Sequence, residues 1–438
     1  MRKIMPKILS FILCCLLSLN SVYIAKADTL SPWIELARMD NVAVNKTFTV
    51  VFTKNIVEEN IDAIVIEQNN KFVAVNISYD SDKAYVTPVK PFAEGEYKFK
   101  ILLGNGKKYF MKFTTSNIEY DYTKNSRDKV IKVYPRKDSG FSYPYYLSIP
   151  NNLVTSKDIN IIVEPNNDGR VGDVEKQDTF VKDRILNEGS LAASVNKQIN
   201  SIILMPVFPR GVTSDGYENW KLYTHELDRD TILGYDNEKI RIDDQLINMI
   251  NDAKNVINKE NITFVKDKVL MIGFSASARF VNRFALLHPE LVQAVATGGI
   301  NSNPIIPLEE LEGQKLIYPV GLGDAKEILG RDINLDAYKK VKQYIYMGEL
   351  DTNDDVSGHD GYDDAERQLI YNLIGRNQLP DRWNKSQKIF SNLPYPIQFV
   401  TYKGIGHTIN RDTISDVTKF FEQNAGNEFL KIQPHNAY

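Results

Sequence analysis

The stretch Val269-Leu270-Met271-Ile272-Gly273-Phe274-Ser275-Ala276-Ser277-Ala278-Arg279-Phe280 constrains this chain more than any other. Four apolar residues run into a turn of small residues, and Phe280, Phe284 and Leu287 then recur at helical spacing until His288-Pro289 ends the pattern. The order is strand, sharp turn, helix. A serine at the tip of such a turn is held in a strained backbone that lifts its hydroxyl clear of the sheet, and its neighbours are small because strand and helix almost touch there. Alone, the same residues also describe a buried strand followed by a helix whose serines cap its first turn, so the surroundings have to discriminate.

Short, nearly continuous apolar runs recur through the second part of the chain: 159–163, 201–207, 269–272, 294–296, 344–347 and 397–400. Such runs mark strands buried on both faces. Helical periodicities lie between them, with Leu246, Ile250, Ala253 and Ile257 on one face, Leu369, Leu373 and Ile374 on another, and Ile414, Val417 and Phe420 on the last. Strands alternating with helices in this way predict an α/β fold with a doubly wound, mostly parallel sheet, in which ligands sit beyond the carboxyl ends of the strands. Val130 to Tyr134 and Tyr143 to Pro150, flanking Asp138-Ser139-Gly140, read as an antiparallel pair that opens it.

Gly273-Phe274-Ser275-Ala276-Ser277 resembles the nucleophile elbow of the α/β-hydrolase superfamily, usually written G-x-S-x-G, with Ser277 in place of the last glycine. Together with Val163-Glu164-Pro165-Asn166-Asn167, Pro206-Val207-Phe208-Pro209-Arg210 and Gly404-Ile405-Gly406-His407, the elbow makes this part similar to secreted bacterial esterase-like and depolymerase-like hydrolases. That resemblance implies a Ser-Asp-His triad in that chain order. A serine hydroxyl needs a base to take its proton, and the base needs an acid to fix its tautomer. There are five histidines. His225 precedes the elbow, His288 ends the elbow helix and His435 lies in the tail, leaving His407, directly after the last apolar strand, as the expected base; His359 competes from the preceding loop. In Gly348-Glu349-Leu350-Asp351-Thr352-Asn353-Asp354-Asp355, Asp351 is the expected acid and Asp354 the alternative. Asp351, Asn353 and Asp355 also alternate like a calcium loop, but Val356 and Tyr362 stand where an EF-hand has Gly and Glu, so no metal or cofactor is expected. The oxyanion hole is expected from the backbone N–H of Ala276 with that of Asn166 or Asn167. Phe274, Phe208 and Trp220 are candidate substrate-pocket residues, the last in a segment, 211–234, suited to a cap.

Ahead of this part the pattern has period two. Phe48, Val50 and Phe52, then Val73, Val75 and Ile77, then Tyr97, Phe99 and Ile101, and Tyr109, Met111 and Phe113 after Gly104-Asn105-Gly106, predict several short strands and a tight hairpin. Residues 28–117 therefore read as an all-β sandwich. Through Ala43-Val44-Asn45-Lys46-Thr47-Phe48, Pro88 and Gly95-Glu96-Tyr97 they resemble the bacterial Ig-like domains of S-layer and other surface proteins, which implies a spacer with cell-wall or S-layer contact. Polar residues 118–128 read as a linker, and 129–438 as the hydrolase domain.

At the N-terminus Arg2, Lys3 and Lys7 precede an apolar run from Ile8 to Leu19, and Ala25-Lys26-Ala27 supplies small residues, so 1–27 reads as a signal peptide and the protein as secreted. Both cysteines, Cys14 and Cys15, fall in that segment, excluding disulfides and cysteine chemistry from the mature chain. A formal charge of −3 with 25% charged residues gives no footprint for nucleic acid, and no second long apolar run suggests a membrane span. The expected substrate is a small-molecule or polymeric carboxylic ester. A serine peptidase of the same fold is the enzymatic alternative, and a non-catalytic adhesin or carbohydrate-binding protein on a hydrolase scaffold is the alternative of a different class.

Overall fold

The computed structural model describes residues 32–53, 60–121, 128–136, 138–187, 189–211, 223–234, 241–358 and 361–437. The expected signal peptide, Trp220 and His359 lie outside them. The chain divides into two compact units: Met1–Met39, Thr47–Thr87 and Glu96–Phe113 form one, and Asp40–Lys46, Pro88–Gly95 and Thr114–Tyr438 the other.

The first unit is all-β. Trp33–Glu35, Lys108–Thr115, Glu96–Leu103, Ile61–Gln68 and Lys71–Val73 lie side by side in one sheet, and Phe48–Val51, Lys83–Pro88 and Val75–Asp80 form a second. The two sheets face each other through aromatic rings, Phe48 lying 5.2 Å from Phe99 and 4.8 Å from Phe113 between ring centroids. The expected hairpin is present: Gly106 takes a φ of 83°, which glycine adopts without strain, and its N–H donates to the Leu103 carbonyl.

The second unit is built on a nine-stranded sheet. Its strands in chain order are β1 (Ile118–Asp121), β2 (Asp128–Val133), β3 (Tyr145–Pro150), β4 (Asn160–Val163), β5 (Ser201–Pro206), β6 (Val269–Phe274), β7 (Val292–Gly298), β8 (Lys342–Gly348) and β9 (Ile397–Tyr402). Their spatial order is β1-β2-β3-β5-β4-β6-β7-β8-β9. The first three run antiparallel to their neighbours, and from β5 onward every pairing is parallel. The reversal of strand order at β5-β4-β6 is the topological switch point at which such sheets open a crevice.

The continuous apolar runs follow from two-sided burial. Ile161 and Val163, Ile202 and Leu204, and Val269 and Met271 pack against helices Ile242–Lys259 and Ala276–Leu287. The alternate residues Ile162, Ile203, Met205, Leu270 and Ile272 pack against Val174–Leu186, Leu191–Asn196 and Arg411–Asn424. Each such side chain, fully removed from water, contributes about 1.5–3 kcal/mol of transfer free energy, which favours apolar residues through the middle of these strands, while Asn160 and Ser201 stand buried at their starts.

The expected linker is corrected in part. Ile118–Asp121 is not a connector but the edge strand of the sheet, paired antiparallel with Val130–Val133. Ile118 is buried, while Glu119 accepts a hydrogen bond from the Tyr134 hydroxyl and Tyr120 donates to Glu260. An edge strand with one wet face carries the polar composition of a linker. Among the described residues no helix is long and apolar enough to cross a membrane.

Candidate active site

Ser275 sits between the end of β6 and the helix Ala276–Leu287, at φ 61° and ψ −125°. A positive φ in a non-glycine residue is strained, and it persists only where the surroundings fix it. Two neighbours do so. Gly273 has no room for a side chain, because a Cβ there would fall 2.2 Å from the carbonyl oxygen of Ser277. Ser277, at the position where the elbow pattern has glycine, is buried, and its Oγ accepts from the Phe274 N–H and donates to the Phe274 carbonyl, both at 3.0 Å. The hydroxyl therefore staples the turn across its base.

The loops after β8 and β9 bring an acid and a histidine together. The N–H groups of Glu349 and Leu350 donate to the carbonyls of Tyr402 and Ile405. Gly348 permits this approach, since a Cβ there would fall 2.4 Å from the Ile405 carbonyl. At the tips, His407 Nδ1 donates to Asp351 Oδ2 at 2.8 Å. Asp351 is buried, and its Oδ1 accepts the N–H of Asn353 at 2.9 Å. With Nδ1 committed to the acid, Nε2 faces away from it. The alternative acid does not reach the histidine: Asp354 is paired with the fully buried guanidinium of Arg382. Asp355 pairs with Arg279, one helical turn beyond Ser275. The two carboxylates of the calcium-like alternation, Asp351 and Asp355, thus go to different partners.

Between Ser275 and His407 stands a residue that sequence reasoning did not assign to the site. Asn353 Nδ2 donates to Ser275 Oγ at 3.2 Å and lies 3.1 Å from His407 Nε2. Among the described residues no direct hydrogen bond joins Ser275 to His407; the amide bridges them. The signal for it was its position two residues after the acid, on a loop that has to face the serine.

The side chains of the two asparagine candidates for the oxyanion hole go different ways. The Asn167 side chain donates to the Phe274 carbonyl at 2.8 Å, which holds the loop after β4 against the elbow. The backbone N–H groups of Asn167 and Ala276 have no acceptor among the described residues, leaving both available to a developing oxyanion. The Asn166 backbone N–H likewise has no acceptor among the described residues; its side chain is buried, donates to Gln177 and the Phe208 carbonyl, and accepts the Phe208 N–H. His225 completes that buried cluster. Its Nδ1 accepts from the Asp168 N–H and its Nε2 lies 3.1 Å from the Phe208 carbonyl. Burial drives its pKa down to about 4, only partly offset by the hydrogen bond to Phe208, so it is a neutral structural histidine. His288, within 2.9 Å of Asp243 and 2.8 Å of Arg331, is likewise structural. His435 is not frayed, since both its N–H and its ring bond Asp416.

Of the expected pocket residues, Phe274 lies beside the site, its ring centroid 4.7 Å from that of His407. Phe208 is corrected: it is fully buried, stacked on Phe280 and edge-on to Tyr143 within the core. An aromatic residue just past a central strand packs under the helix layer more readily than it opens to solvent.

Neither a protein-family model nor a curated protein matches this sequence. Solved structures similar to it include poly(aspartic acid) hydrolase-1 from Sphingomonas sp. KT-1, at 16% identity over 66% of this chain and 96% of that one, with a TM-score of 0.43. An S-formylglutathione hydrolase from Agrobacterium tumefaciens aligns at 9% identity over 70% of this chain and 97% of its own, TM-score 0.38. An acetyl xylan esterase from Aspergillus awamori aligns at 18% identity over 66% and 97%, TM-score 0.37.

Proposed function

We propose that this chain is a serine hydrolase of the α/β-hydrolase type that cleaves carboxylic esters. The observation that carries the reading is a strained serine at the carboxyl end of a central strand, facing an Asp351–His407 pair from the next loops. Ser275 Oγ attacks the ester carbonyl carbon as its proton passes to His407 Nε2. Asp351 holds the ring with Nδ1 protonated and stabilises the imidazolium. The carbonyl oxygen, now negative, is met by the N–H groups of Ala276 and Asn167. The C–O bond to the alcohol then breaks, the alcohol leaves with the proton from Nε2, and water repeats the sequence on the acyl-serine.

Phe274 supplies an apolar wall beside His407 for the acyl or aryl part. Secretion behind the 1–27 leader and a spacer role for the all-β unit belong to the same proposal, supported by the sequence pattern alone.

The test is hydrolysis of p-nitrophenyl acetate, butyrate and octanoate by the protein beginning at Asp28, alongside fluorophosphonate labelling. Ser275→Ala and His407→Ala are expected to abolish labelling and to lower turnover by about 10⁴-fold or more. Undiminished hydrolysis or labelling in Ser275→Ala would reject the assignment.

A further inference from the structure

Resting on that ester-hydrolase reading, we infer that Asn353 is the residue that selects the alcohol side of the substrate, favouring esters whose alcohol carries a second hydroxyl beside the scissile oxygen, as in a polyol or sugar ester. Three observations lead there.

Asn353 occupies the leaving-group position. The departing alcohol oxygen has to collect its proton from His407 Nε2 while it is still bonded to the carbon held by Ser275 Oγ, so it passes close to both atoms. A donor 3.2 Å from Oγ and 3.1 Å from Nε2 stands where that oxygen and its nearest substituents come to lie.

Its placement is built in. The Asn353 backbone N–H is spent on Asp351 Oδ1, the next residue is tied to Arg382, and Asp355 to Arg279, both guanidinium groups having side chains fully removed from solvent. The Asp355 N–H further donates to the Asn301 carbonyl at 2.9 Å. The loop is therefore pinned on either side of one exposed amide. Orienting the acid needs only the backbone of residue 353, which leaves the side chain a separate role.

The chemistry of the amide fixes what it selects. When substrate enters, the donors on Nδ2 give up Ser275 and His407, and those two groups turn to each other and to the ester. The amide then offers two N–H donors and an Oδ1 acceptor, on the solvent-facing side, to whatever the alcohol carries. A hydroxyl next to the ester oxygen can accept from Nδ2 and donate to Oδ1. A plain alkyl chain can do neither, and crowds water away from the amide.

Matched esters that share one acyl group but differ in the alcohol isolate this effect, because they pass through the same acyl-enzyme and differ only before it. The acyl group is the one whose p-nitrophenyl ester turns over fastest. The 1-propyl and the 1-glyceryl esters are compared by proton release in wild type, Asn353→Ala and Asn353→Ser, with thermal unfolding of each variant. In wild type, kcat/KM for the glyceryl ester is expected to exceed that for the propyl ester about tenfold. In Asn353→Ala the ratio falls to within about twofold of unity, the glyceryl ester losing more than the propyl ester; Asn353→Ser, which keeps a hydroxyl, restores part of the preference.

A wild-type ratio near unity overturns the inference without recourse to any variant. So does an equal loss on both esters in Asn353→Ala, which would make the side chain a positioning group for the triad alone. If wild type hydrolyses no ester and Ser275 resists fluorophosphonate, the ester reading fails and takes this inference with it; if wild type is active but indifferent to the alcohol, only the inference fails.

Discussion

Ser277 offers the most direct test of how the elbow is held. The superfamily resemblance puts glycine at this position, so Ser277→Gly would be expected to leave stability unchanged or improved. The structure predicts the opposite. Ser277 Oγ makes two hydrogen bonds to the Phe274 backbone at 3.0 Å, and the residue is buried. A net contribution of about 1 kcal/mol per bond, with the Phe274 N–H left unpaired once its acceptor is gone, gives a loss of about 2 kcal/mol for Ser277→Ala. Glycine adds about 0.5 kcal/mol because it lacks serine's helix propensity in the first turn. The stability order is therefore wild type, then Ala, then Gly. At about 2–4 °C per kcal/mol, the unfolding transition of the catalytic unit should fall by about 4–8 °C in Ser277→Ala and slightly further in Ser277→Gly. Differential scanning calorimetry resolves such shifts, and fluorophosphonate labelling at 20 °C checks that folded variants keep a reactive Ser275. A Ser277→Gly protein that melts at or above wild type would refute the hydroxyl staple and return the position to a demand for small size alone.

Asp351→Asn keeps the shape of the acid but offers His407 Nδ1 a group that is both donor and acceptor, and kcat on the best p-nitrophenyl ester should drop about 10⁴-fold. Asp354→Asn should leave kcat within tenfold and appear instead as destabilisation of about 3 kcal/mol, because the buried Arg382 loses its counter-charge; equal kinetic losses in the two variants would contradict the assignment of Asp351. Gly273→Ala drives a Cβ into the Ser277 backbone, 2.5 Å from its carbonyl carbon, a clash no side-chain rotation relieves; the fluorophosphonate labelling rate should fall at least 100-fold. His225 supplies a pH dependence. Its folded pKa of about 4 lies below the unfolded value of about 6.5, so in that window the unfolded chain takes up a proton that the folded chain refuses. This contribution to stability is full above about pH 6.5 and is lost as pH falls toward 4, by about 3 kcal/mol. Melting temperatures of wild type and His225→Gln should converge on acidification over that range, and parallel curves would count against it.

The parallel strands were legible because each is buried on both faces, and a run such as Val269 to Ile272 has no polar alternative. The elbow was legible because its backbone conformation excludes large residues at Gly273. Polar residues carry no comparable constraint. Ile118–Asp121 has one exposed face and so has the composition of a connector, although its pairing makes it a strand. Phe208 shows the same limit from the other side, because an aromatic residue past a strand end has equal claim to the core and to a pocket until the packing of Phe280 against it is known. Asn353 went unassigned because, once Val356 and Tyr362 exclude an EF-hand, nothing in the alternation of Asp351, Asn353 and Asp355 says which partner each side chain meets.

That divergence bears on how the site keeps its geometry. Within five residues, Asp351, Asp354 and Asp355 are partnered by an imidazole and two guanidinium groups drawn from three different elements. A divalent cation gathering these carboxylates would have to take Asp354 from Arg382 and one of the two carboxylate partners, Asp355 and Glu226, from Arg279, and the buried Arg382 guanidinium left uncompensated costs about 3–5 kcal/mol. The arginines therefore hold the loop open as a spread of single contacts rather than letting it close around an ion. Arg279 also belongs to the helix Ala276–Leu287, so its pair with Asp355 ties the loop carrying Asp351 and Asn353 to the element that begins directly after Ser275. Displacing the loop by even 1 Å, which is enough to cost about 100-fold in rate, requires breaking that part-buried pair first. The separation of Ser275, Asn353 and Asp351 is set by a charge pair whose guanidinium is fully buried, with the exposed Asn353 amide held between Ser275 and His407.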